Sequence, residues 1–318
     1  MVRAVTRYSA LVDELAQAIA AGDLPPGAAL PSVRSLARDR GLAPGTVARA
    51  YAELACAGMI VSSPRRATQV APDGPERARS RLRGGRSLAL AGSDDPLLDL
   101  LLATAPEPVE RVGARGSAAG LAALWRGSVD AATLHLPDRS GEYNAPFAAR
   151  VLSGRAPRLV HLWRREQGLV VPPGNPAGLR NAGDLARGRA RSRAASGPVT
   201  ALRRPGAGTR VLTERLAREA GGDPADIRGP EVDSHLDVAL AVASGLADAG
   251  VCVRSAAVAL GLEFVPLVWE PFELALPAEA LPRAEPLLAS LAEPAVARRA
   301  AELGGYDLEG RGAITPAR

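Results

Sequence analysis

Residues 30–60 read LPSVRSLARDRGLAPGTVARAYAELACAGMI, and this stretch contains two runs of apolar residues at helical spacing. Ser32 is a typical N-cap for the first run, and Gly41 is typical of the position just beyond a helix end. The second run, between Thr46 and Leu54, has apolar residues on one side and polar residues on the other. The spacing predicts two helices joined by a tight turn, which is a helix-turn-helix.

An amphipathic helix is predicted before this motif at residues 8–20, and two short strands are predicted after it at residues 59–61 and 68–70. The strings LPSVRSLA and TVARAYAEL, followed by a strand directly after Gly58, resemble the N-terminal domain of the GntR family of winged-helix regulators. The resemblance covers residues 8–70 and implies binding of double-stranded DNA, with the second helix facing the base edges. The candidate DNA-binding residues are Ser32, Arg34, Thr46, Arg49, Arg65 and Arg66.

Two features differ from the family pattern. The second helix opens with Ala43 and Pro44 where many members have Ser-Arg, and the wing tip carries Pro64 where glycines are usual. Phosphate contact needs little geometry and is therefore the expected role of Arg65 and Arg66. A helical hairpin that docks another protein is the alternative interpretation, but such a hairpin would not need arginines on the presented elements.

Basic residues are concentrated in the N-terminal part of the chain. Residues 1–86 contain 13 arginines against 7 acidic residues, whereas the whole chain has a net charge of +5. A basic module attached to a near-neutral body is typical of a protein in which one part binds nucleic acid. The chain contains no lysine, so a pyridoxal phosphate domain, which needs a lysine Schiff base, is excluded and no cofactor is expected.

Residues 72–86 are rich in Pro, Gly and Arg, and we interpret them as a flexible linker between a DNA-binding domain at 1–71 and a second domain at 87–310. From Ser87 onward, strand and helix patterns alternate. This alternation predicts an α/β fold with mostly parallel strands.

The strings AGSDDPLLDLL, RRPGAGTR and LGGYD, in this order along the body, resemble the type 2 periplasmic-binding-protein fold. The version in question is related to molybdate- and tungstate-binding domains. The resemblance implies two lobes connected by two crossing strands, near residues 159–167 and 252–268. It also implies that a small-molecule ligand such as molybdate or tungstate binds between the lobes. Organic acids or sulfonates would suit the same site.

Three turns of the body carry hydroxyl-bearing residues at the start of predicted helices, at Ser93, Ser117 and Thr209. Hydroxyls and the free N–H groups of helix N-termini form a cradle for an anion or a carboxylate. Ordinary N-capping is the alternative explanation for each turn. The candidate ligand-binding residues are Ser93, Gly116, Ser117, Tyr143, Gln167, Gly206, Gly208, Thr209 and His235.

A second set of polar residues is weaker as evidence, because surface solvation explains each member on its own. These residues are Asp95, Tyr143, Asn144, Gln167, Arg210, Ser234 and His235. Arg210 either neutralises an anion or pairs with Glu214 four residues later on the same helix.

These patterns together predict a cytoplasmic, homodimeric, ligand-responsive transcription regulator without enzyme activity. The alternative is an enzyme that combines Ser117, His135 and Asp138, but their spacing lacks a nucleophile elbow. Cys56 and Cys252 are expected to be buried free thiols, and no metal is expected because the 3 histidines lack zinc-ligand spacing. No apolar run is long enough to span a membrane.

Overall fold

The computed structural model describes residues 7–62, 67–82, 87–186 and 197–318. The chain divides into an N-terminal unit, Met1–Ser87 with Arg126–Val129, and a C-terminal unit, Leu88–Trp125 with Asp130–Arg318. The N-terminal unit contains the predicted helix-turn-helix, and the C-terminal unit contains the predicted α/β body. Among the described residues, no helix is long and apolar enough to cross a membrane.

The N-terminal unit has the predicted winged-helix order of elements. In chain order these are α1 (Arg7–Ala21), α2 (Val33–Arg40), α3 (Pro44–Cys56), β1 (Ile60–Val61), β2 (Gln69–Val70) and α4 (Gly74–Leu82). The Ser32 hydroxyl caps α2 by accepting a hydrogen bond from the Ser35 N–H at 3.1 Å. Gly41 follows α2 in the left-handed conformation, with φ of 61°, which glycine adopts without steric cost. β1 and β2 pair antiparallel.

The core of the N-terminal unit is formed by the apolar faces that the sequence predicts. Leu11, Leu15 and Ile19 of α1 are buried, and they belong to one cluster with Val47 and Leu54 of α3. Burial of each large aliphatic side chain contributes roughly 1.5 to 3 kcal/mol relative to exposure. The burial of α3 on one side leaves its other side to the solvent.

The expected linker at residues 72–86 is wrong for most of its length, since α4 lies within it. Ala78 of α4 is buried in the core of the N-terminal unit, and Arg81 Nη2 lies 2.8 Å from the Glu53 carboxylate of α3. The composition indicates a linker because of its Pro, Gly and Arg content. Arginine and alanine are nevertheless good helix formers, and packing against α1 stabilises the helix.

The C-terminal unit is built around one large sheet covered by helices. The first part of the chain in this unit forms one lobe, which we call lobe one. Its elements are β3 (Leu88–Gly92), α5 (Pro96–Thr104), β4 (Val109–Arg115), α6 (Ser117–Trp125), β5 (Ala131–Leu134) and α7 (Ala145–Val151). The remaining elements are β6 (Pro157–Val171), α8 (Gly183–Ala186), β7 (Thr200–Arg203), α9 (Gly208–Glu219), β8 (Glu231–Val232), α10 (His235–Ala243), β9 (Ala249–Val253), α11 (Arg254–Ala259), β10 (Glu263–Pro277), α12 (Leu281–Ala289), α13 (Pro294–Leu303), β11 (Tyr306–Asp307) and β12 (Ile314–Pro316).

The strand order of this sheet is β4-β3-β5-β10-β6-β9-β7-β8. Lobe one holds the parallel strands β4, β3 and β5, and lobe two holds the parallel strands β9, β7 and β8. The long strands β6 and β10 pair antiparallel with each other and run through both lobes. The predicted two-lobed architecture with two crossing strands is therefore confirmed.

Three details of the predicted body are corrected. The sheet is mixed rather than mostly parallel, because the crossing strands are antiparallel to each other and to their neighbours. The returning crossing strand is Glu263–Pro277 rather than residues 252–268, and Cys252 lies in β9. The body extends past residue 310, since β12 pairs with β6. Hydrophobic periodicity identifies buried strands but does not show which of them cross between lobes.

The two cysteines differ from each other. Cys252 is a buried free thiol as predicted, and burial raises its pKa to about 12. Cys56 is exposed, so the prediction that it is buried is wrong. Cys56 is the last residue of α3, and helical geometry places it on the side opposite the buried Val47.

Candidate functional site

The candidate DNA-binding surface is the solvent-exposed side of the helix-turn-helix. Val47, Ala50 and Tyr51 turn into the core, and the Tyr51 hydroxyl donates a hydrogen bond to the Pro31 carbonyl at 2.8 Å. This hydrogen bond connects α3 to the residue that precedes the α2 cap. It holds the two helices of the motif in a defined relative position, which a helix that reads base edges requires.

The predicted DNA-binding residues in the described part of this surface are accessible. Arg34 is exposed and, within the described residues, has no ion pair, whereas Arg38 and Arg40 pair with Asp39 and Glu14. Arg34 is therefore better placed than its neighbours to contact an external phosphate.

The other predicted residues of this surface differ in their contacts. Ser32 is exposed and caps α2, and Thr46 is half-buried in the first turn of α3. Arg49 is exposed, and its guanidinium lies 3.9 Å from the centroid of the Tyr8 ring, a cation–π contact. The predicted wing residues Arg65 and Arg66 lie outside the described residues.

In lobe one of the C-terminal unit, three chain segments meet at the carboxyl ends of the parallel strands. Ser93 follows β3, Ser117 opens α6, and their hydroxyls form a hydrogen bond of 2.7 Å. The His135 backbone N–H, just after β5, donates to the Ser117 hydroxyl at 3.3 Å. A Cβ at Gly120 would overlap the Gly92 backbone, so this glycine allows α6 to pack closely against β3.

Lobe two contributes the turn before α9 and the start of α10. Gly206 has a φ of 88°, which requires glycine, and a Cβ at Gly208 would overlap the His135 ring of lobe one. Thr209 is buried, and its hydroxyl accepts a hydrogen bond from Gln167 Nε2 at 3.0 Å. His235 is the first residue of α10, after the capping box formed by Ser234.

The two lobes touch each other directly around this site. The Ala118 N–H of α6 donates to the Gly206 carbonyl at 3.3 Å. Arg203 Nη2 of lobe two lies 3.0 Å from the Asp94 carboxylate of lobe one. The lobes are therefore in a closed arrangement, and these contacts must break for the lobes to separate.

The crossing strands place a buried network of charges between the lobes. Arg165 of β6 lies 2.7 Å from the Asp95 carboxylate and 2.9 Å from Glu270 of β10. Glu270 Oε1 is also 3.0 Å from His135 Nδ1 and accepts a hydrogen bond from Gln167 Nε2 at 2.6 Å. We refer to this set as the cleft cluster; its members are Asp94, Asp95, His135, Arg165, Gln167, Arg203, His235 and Glu270.

The environment fixes the protonation states of the cleft cluster. Burial lowers the pKa of His135, and burial together with Arg203 and Arg165 lowers the pKa of His235 well below its ordinary value. Burial alone would raise the pKa of Glu270, but His135 and Arg165 outweigh burial and hold this pKa below its ordinary value. At neutral pH the two imidazoles are therefore neutral and Glu270 is ionised.

Two opposing effects act on the pKa of the buried Asp95 carboxyl group. Burial raises its pKa, whereas the Arg165 guanidinium opposes this rise. Asp95 accepts hydrogen bonds from Arg165, from the Leu97 N–H at 2.9 Å and from the Tyr306 hydroxyl at 3.0 Å. Three donors aimed at one carboxyl group stabilise its ionised form.

Several buried polar atoms of the cleft cluster have no hydrogen-bond partner among the described residues. They are Arg165 Nη2, Gln167 Oε1, Arg203 Nε, Glu270 Oε2 and both ring nitrogens of His235. His135 Nδ1 also makes no hydrogen bond to a described residue, although it lies 3.0 Å from Glu270 Oε1. A buried polar atom without a partner is costly, so a group of such atoms in one place indicates a site that binds polar groups.

The loop at residues 137–144 brings Tyr143 to this site. Its hydroxyl is buried, and burial together with the Glu270 charge raises its pKa to about 12. Asn144 anchors the loop, because its side chain accepts from the Leu136 N–H and donates to Glu273, both at 2.8 Å. Asn144 holds a φ of 57°, a strained value for a residue other than glycine, at this position next to the site.

The structure does not assemble the catalytic set considered in the sequence. Asp138 accepts hydrogen bonds from Ser140 and Glu142 in its own loop, and the His135 ring faces Glu270 instead. The Ser117 hydroxyl meets the His135 backbone N–H rather than its ring.

An apolar pocket of about 470 Å³ also lies between the lobes, and it has the size of a small-molecule pocket. Lobe one contributes side chains of α6, α7 and the chain at Leu136, and lobe two contributes Gly206 and Val211. Leu136 is next to His135 in sequence, and Gly206 is two residues before Gly208. The pocket is therefore adjacent to the polar site.

The predicted ligand-binding residues lie together around the cleft, although they differ in their roles. The structure brings together Ser93, Gly116, Ser117, Gln167, Gly206, Gly208, Thr209, Tyr143 and His235. Among the weaker candidates, Arg210 pairs with Glu214 at 2.6 Å and Ser234 caps α10, so both have structural roles.

Sequence reasoning missed four charged residues of the cleft, namely Asp94, Arg165, Arg203 and Glu270. Arg165 and Glu270 could have been found because each is a charged residue inside a long apolar strand. They lie in the strings REQ at residues 165–167 and WEPFE at residues 269–273. A charge in a strand that is buried on both faces needs a partner, and the sequence offers one on each strand.

Family comparisons agree with both units. Residues 102–292 match the model of the PBP superfamily domain, and residues 7–70 match that of the bacterial regulatory proteins of the gntR family. The chain belongs to the PBP superfamily and carries a GntR-family helix-turn-helix domain at its N-terminus.

Individual relatives cover parts of the chain. The protein YvgK of Bacillus subtilis (strain 168), named as uncharacterized, is 30% identical over 210 residues, which are 64% of this chain and 66% of that protein. The chain thus covers just under two thirds of this relative. The HTH-type transcriptional regulator Rv1152 of Mycobacterium tuberculosis is 36% identical over 93 residues, which are 27% of this chain and 77% of that protein. A solved mutant of Corynebacterium glutamicum OxyR, bound to hydrogen peroxide, aligns with 94% of this chain and 96% of its own, at 15% identity and a TM-score of 0.48.

Proposed function

We propose that this protein is a ligand-responsive transcription regulator whose operator binding is modulated by a small ligand between the two lobes. In this proposal the N-terminal unit binds double-stranded DNA as part of a homodimer in the cytoplasm. The C-terminal unit binds a ligand that carries an anionic group, and the protein has no enzyme activity and needs no cofactor. The observation that carries the proposal is the group of unpartnered buried polar atoms in the cleft cluster.

The anionic group of the ligand is supported by the donors at the cleft. α6 and α9 both begin there, and the N-terminus of a helix carries partial positive charge and free N–H groups. Ser117 and Thr209 add hydroxyls at these two N-termini, and both residues are buried. Arg165 Nη2 and Arg203 Nε add cationic donors without partners among the described residues. Molybdate, tungstate and organic acids all offer acceptors for such donors.

Regulation follows from closure of the lobes. A ligand that contacts α6 of lobe one and α9 of lobe two binds the closed form more tightly than the open form, and it therefore shifts the equilibrium towards closure. If the closed form differs from the open form in its affinity for operator DNA, the ligand and the DNA influence each other's binding reciprocally.

The test is operator binding by the full-length protein, measured by fluorescence anisotropy with a duplex selected from random sequence. Molybdate, tungstate and a set of organic acids are the first probes. We expect at least one probe that binds the protein, as measured by calorimetry, to change the operator Kd. A probe that saturates the protein without any change in operator affinity contradicts ligand-responsive regulation, and chemical conversion of the bound probe supports the enzyme alternative.

Arg49 provides the corresponding test of the DNA-binding surface. Loss of a base contact costs roughly 1 to 3 kcal/mol, so we expect Arg49→Ala to weaken operator binding about 5-fold to 150-fold. The cation–π contact of Arg49 with Tyr8 is exposed and contributes only about 0.5 to 1 kcal/mol, so the variant should remain folded. Unchanged operator affinity in a folded Arg49→Ala protein removes this residue from the DNA-binding surface.

A further inference from the structure

We infer that the ligand of the cleft carries a hydrogen-bond-donating amine in addition to its anionic group, so that it is a zwitterion of the amino acid type rather than an inorganic oxyanion. This inference rests on the proposed function and specifies the chemical class of the ligand. The observation behind it is the kind of polar atom that the cleft cluster leaves without a partner.

The unpartnered atoms are of both kinds. Arg165 Nη2 and Arg203 Nε are donors, whereas Gln167 Oε1 and Glu270 Oε2 are acceptors. The orientation of the Gln167 amide is fixed, because its nitrogen must be the group that faces the Glu270 carboxylate at 2.6 Å. A fully deprotonated tetrahedral oxyanion has only acceptors, so it can serve the two arginines but offers nothing to Gln167 and Glu270.

The charges in the cleft also disfavour a dianion. The two guanidiniums, of Arg165 and Arg203, are already paired with the carboxylates of Asp94, Asp95 and Glu270. Both imidazoles of the cluster are neutral at neutral pH. The side chains of the cleft cluster therefore supply no net positive charge to a ligand, and an unpartnered carboxylate oxygen of Glu270 repels one that is doubly negative.

His235 requires the same combination of groups. A neutral imidazole donates from one ring nitrogen and accepts at the other, and both ring nitrogens of His235 are buried without a partner among the described residues. Its ring centroid is 6.4 Å from that of His135, whose Nδ1 lies 3.0 Å from Glu270. A ligand with a donor and an acceptor can satisfy His235 on both sides.

The unpartnered atoms suggest how such a ligand is oriented. Glu270 and Gln167 lie on the paired crossing strands, and their unpartnered oxygens are suited to an ammonium group. Arg203 lies at the end of β7, one short turn before α9 begins, so its donor and the N-terminus of α9 are suited to a carboxylate. An α-amino acid carries these two groups on the same carbon atom.

The experiment compares three sets of probes on the full-length protein by thermal shift and calorimetry. The first set is the proteinogenic amino acids. The second set contains, for each amino acid that binds, its N,N,N-trimethyl derivative, which keeps the positive charge but has no N–H, and its deaminated acid. The third set is molybdate, tungstate, sulfate and phosphate. We expect an amino acid to bind, and its two analogues to bind at least tenfold more weakly.

Each outcome is informative. An oxyanion that binds while no amino acid does overturns the inference and leaves the proposed function intact. Equal affinity for an amino acid and its trimethyl or deaminated analogue also overturns the inference, and so does the absence of binding by every amino acid. Binding of an amino acid without any change in operator affinity supports the inference and contradicts the proposed function.

A substitution adds an independent test. Glu270→Gln keeps the shape of the side chain but removes its charge. We expect it to reduce amino acid affinity at least tenfold without weakening the binding of the deaminated acid, because the carboxylate that repels an anion is lost. The matched control is Glu263→Gln on the same strand, where the exposed Glu263 carboxylate accepts a hydrogen bond from the Gly174 N–H. If Glu270→Gln does not fold, the comparison of probes on the wild-type protein still decides the inference.

Discussion

The ion pair between Asp94 and Arg203 joins the two lobes, and its removal has a predictable effect on stability. Arg203 Nη2 lies 3.0 Å from the Asp94 carboxylate, and the Arg203 side chain is 5% exposed whereas that of Asp94 is 27% exposed. The substitution Asp94→Asn keeps the volume of the side chain and removes the negative charge. It leaves the buried guanidinium of Arg203 without a charged partner in the opposite lobe.

The expected magnitude follows from this partial burial. A hydrogen bond to a charged group contributes about 1.5 to 3 kcal/mol, and the exposure of Asp94 places this pair in the middle of that range, at about 2 kcal/mol. For a unit of this size, 1 kcal/mol changes Tm by about 2 to 4 °C. We therefore expect Asp94→Asn to lower the Tm of the C-terminal unit by about 4 to 8 °C.

The effect should depend on pH in a defined direction. Burial raises the pKa of Asp94, but His235, Arg203 and Arg165 together lower it by more, so the pKa lies well below its ordinary value. A carboxylate with a lowered pKa contributes its full stability above the pKa of the unfolded state, about 3.9, and loses it as the pH falls towards the folded pKa. The difference between wild type and Asp94→Asn should be complete at pH 7 and should shrink below about pH 4.

Differential scanning calorimetry of both proteins between pH 7 and pH 3 measures this difference. The matched control is Asp233→Asn, which removes the ion pair between Asp233 and Arg204. The side chains of this pair are 53% and 62% exposed, so the substitution should leave Tm unchanged. Equal Tm values for wild type and Asp94→Asn at pH 7, or a difference that does not change with pH, refute the role of this pair in joining the lobes.

Three further predictions concern other parts of the molecule. Arg34→Ala should weaken operator binding by roughly 1 to 3 kcal/mol in an anisotropy titration. The control is Arg38→Ala, which should have a smaller effect because the Arg38 side chain pairs with Asp39. Equal effects of the two substitutions contradict a special role of Arg34. A fragment of residues 1–82 should melt at a higher temperature than one of residues 1–71 by circular dichroism, because α4 buries Ala78; identical melting would show that α4 adds nothing. Thr209→Val should reduce ligand affinity roughly 10-fold to 100-fold, which corresponds to roughly 1.5 to 3 kcal/mol, and should leave operator binding intact. Wild-type ligand affinity of this variant in calorimetry would show that the Thr209 hydroxyl does not contact the ligand.

The sequence predicts those parts of the fold that depend on local patterns. The helix-turn-helix follows from apolar spacing, the Ser32 cap and the Gly41 break, all of which act within a few residues. The alternation of strands and helices in the body likewise follows from local periodicity. Residues 74–82 show the limit, because tertiary contact with α1 makes a helix of a segment whose composition indicates a linker.

The candidate ligand site was predictable only where small residues mark turns. Ser117 and Thr209 were found because hydroxyls at helix starts are visible in one stretch of sequence. Arg165 and Glu270 were not found, because they meet only when β6 and β10 pair, and 105 residues separate them in the chain. Long-range pairing of buried charges leaves no local pattern, although each charge within an apolar strand indicates that a partner exists elsewhere.

The location of the charge network has a consequence for signalling. Arg165, Gln167 and Glu270 lie on the crossing strands, which run through both lobes. In the proposed mechanism they therefore belong to the hinge as well as to the candidate site. The hydroxyl of Tyr306 in β11 contacts both Asp95 and Ser255 and thus connects the network to α11. A ligand that bonds to Glu270 and Gln167 therefore acts on the hinge directly. A stabilisation of the closed form by about 2 kcal/mol changes the ratio of closed to open molecules about 30-fold, which is within the range of typical allosteric coupling energies.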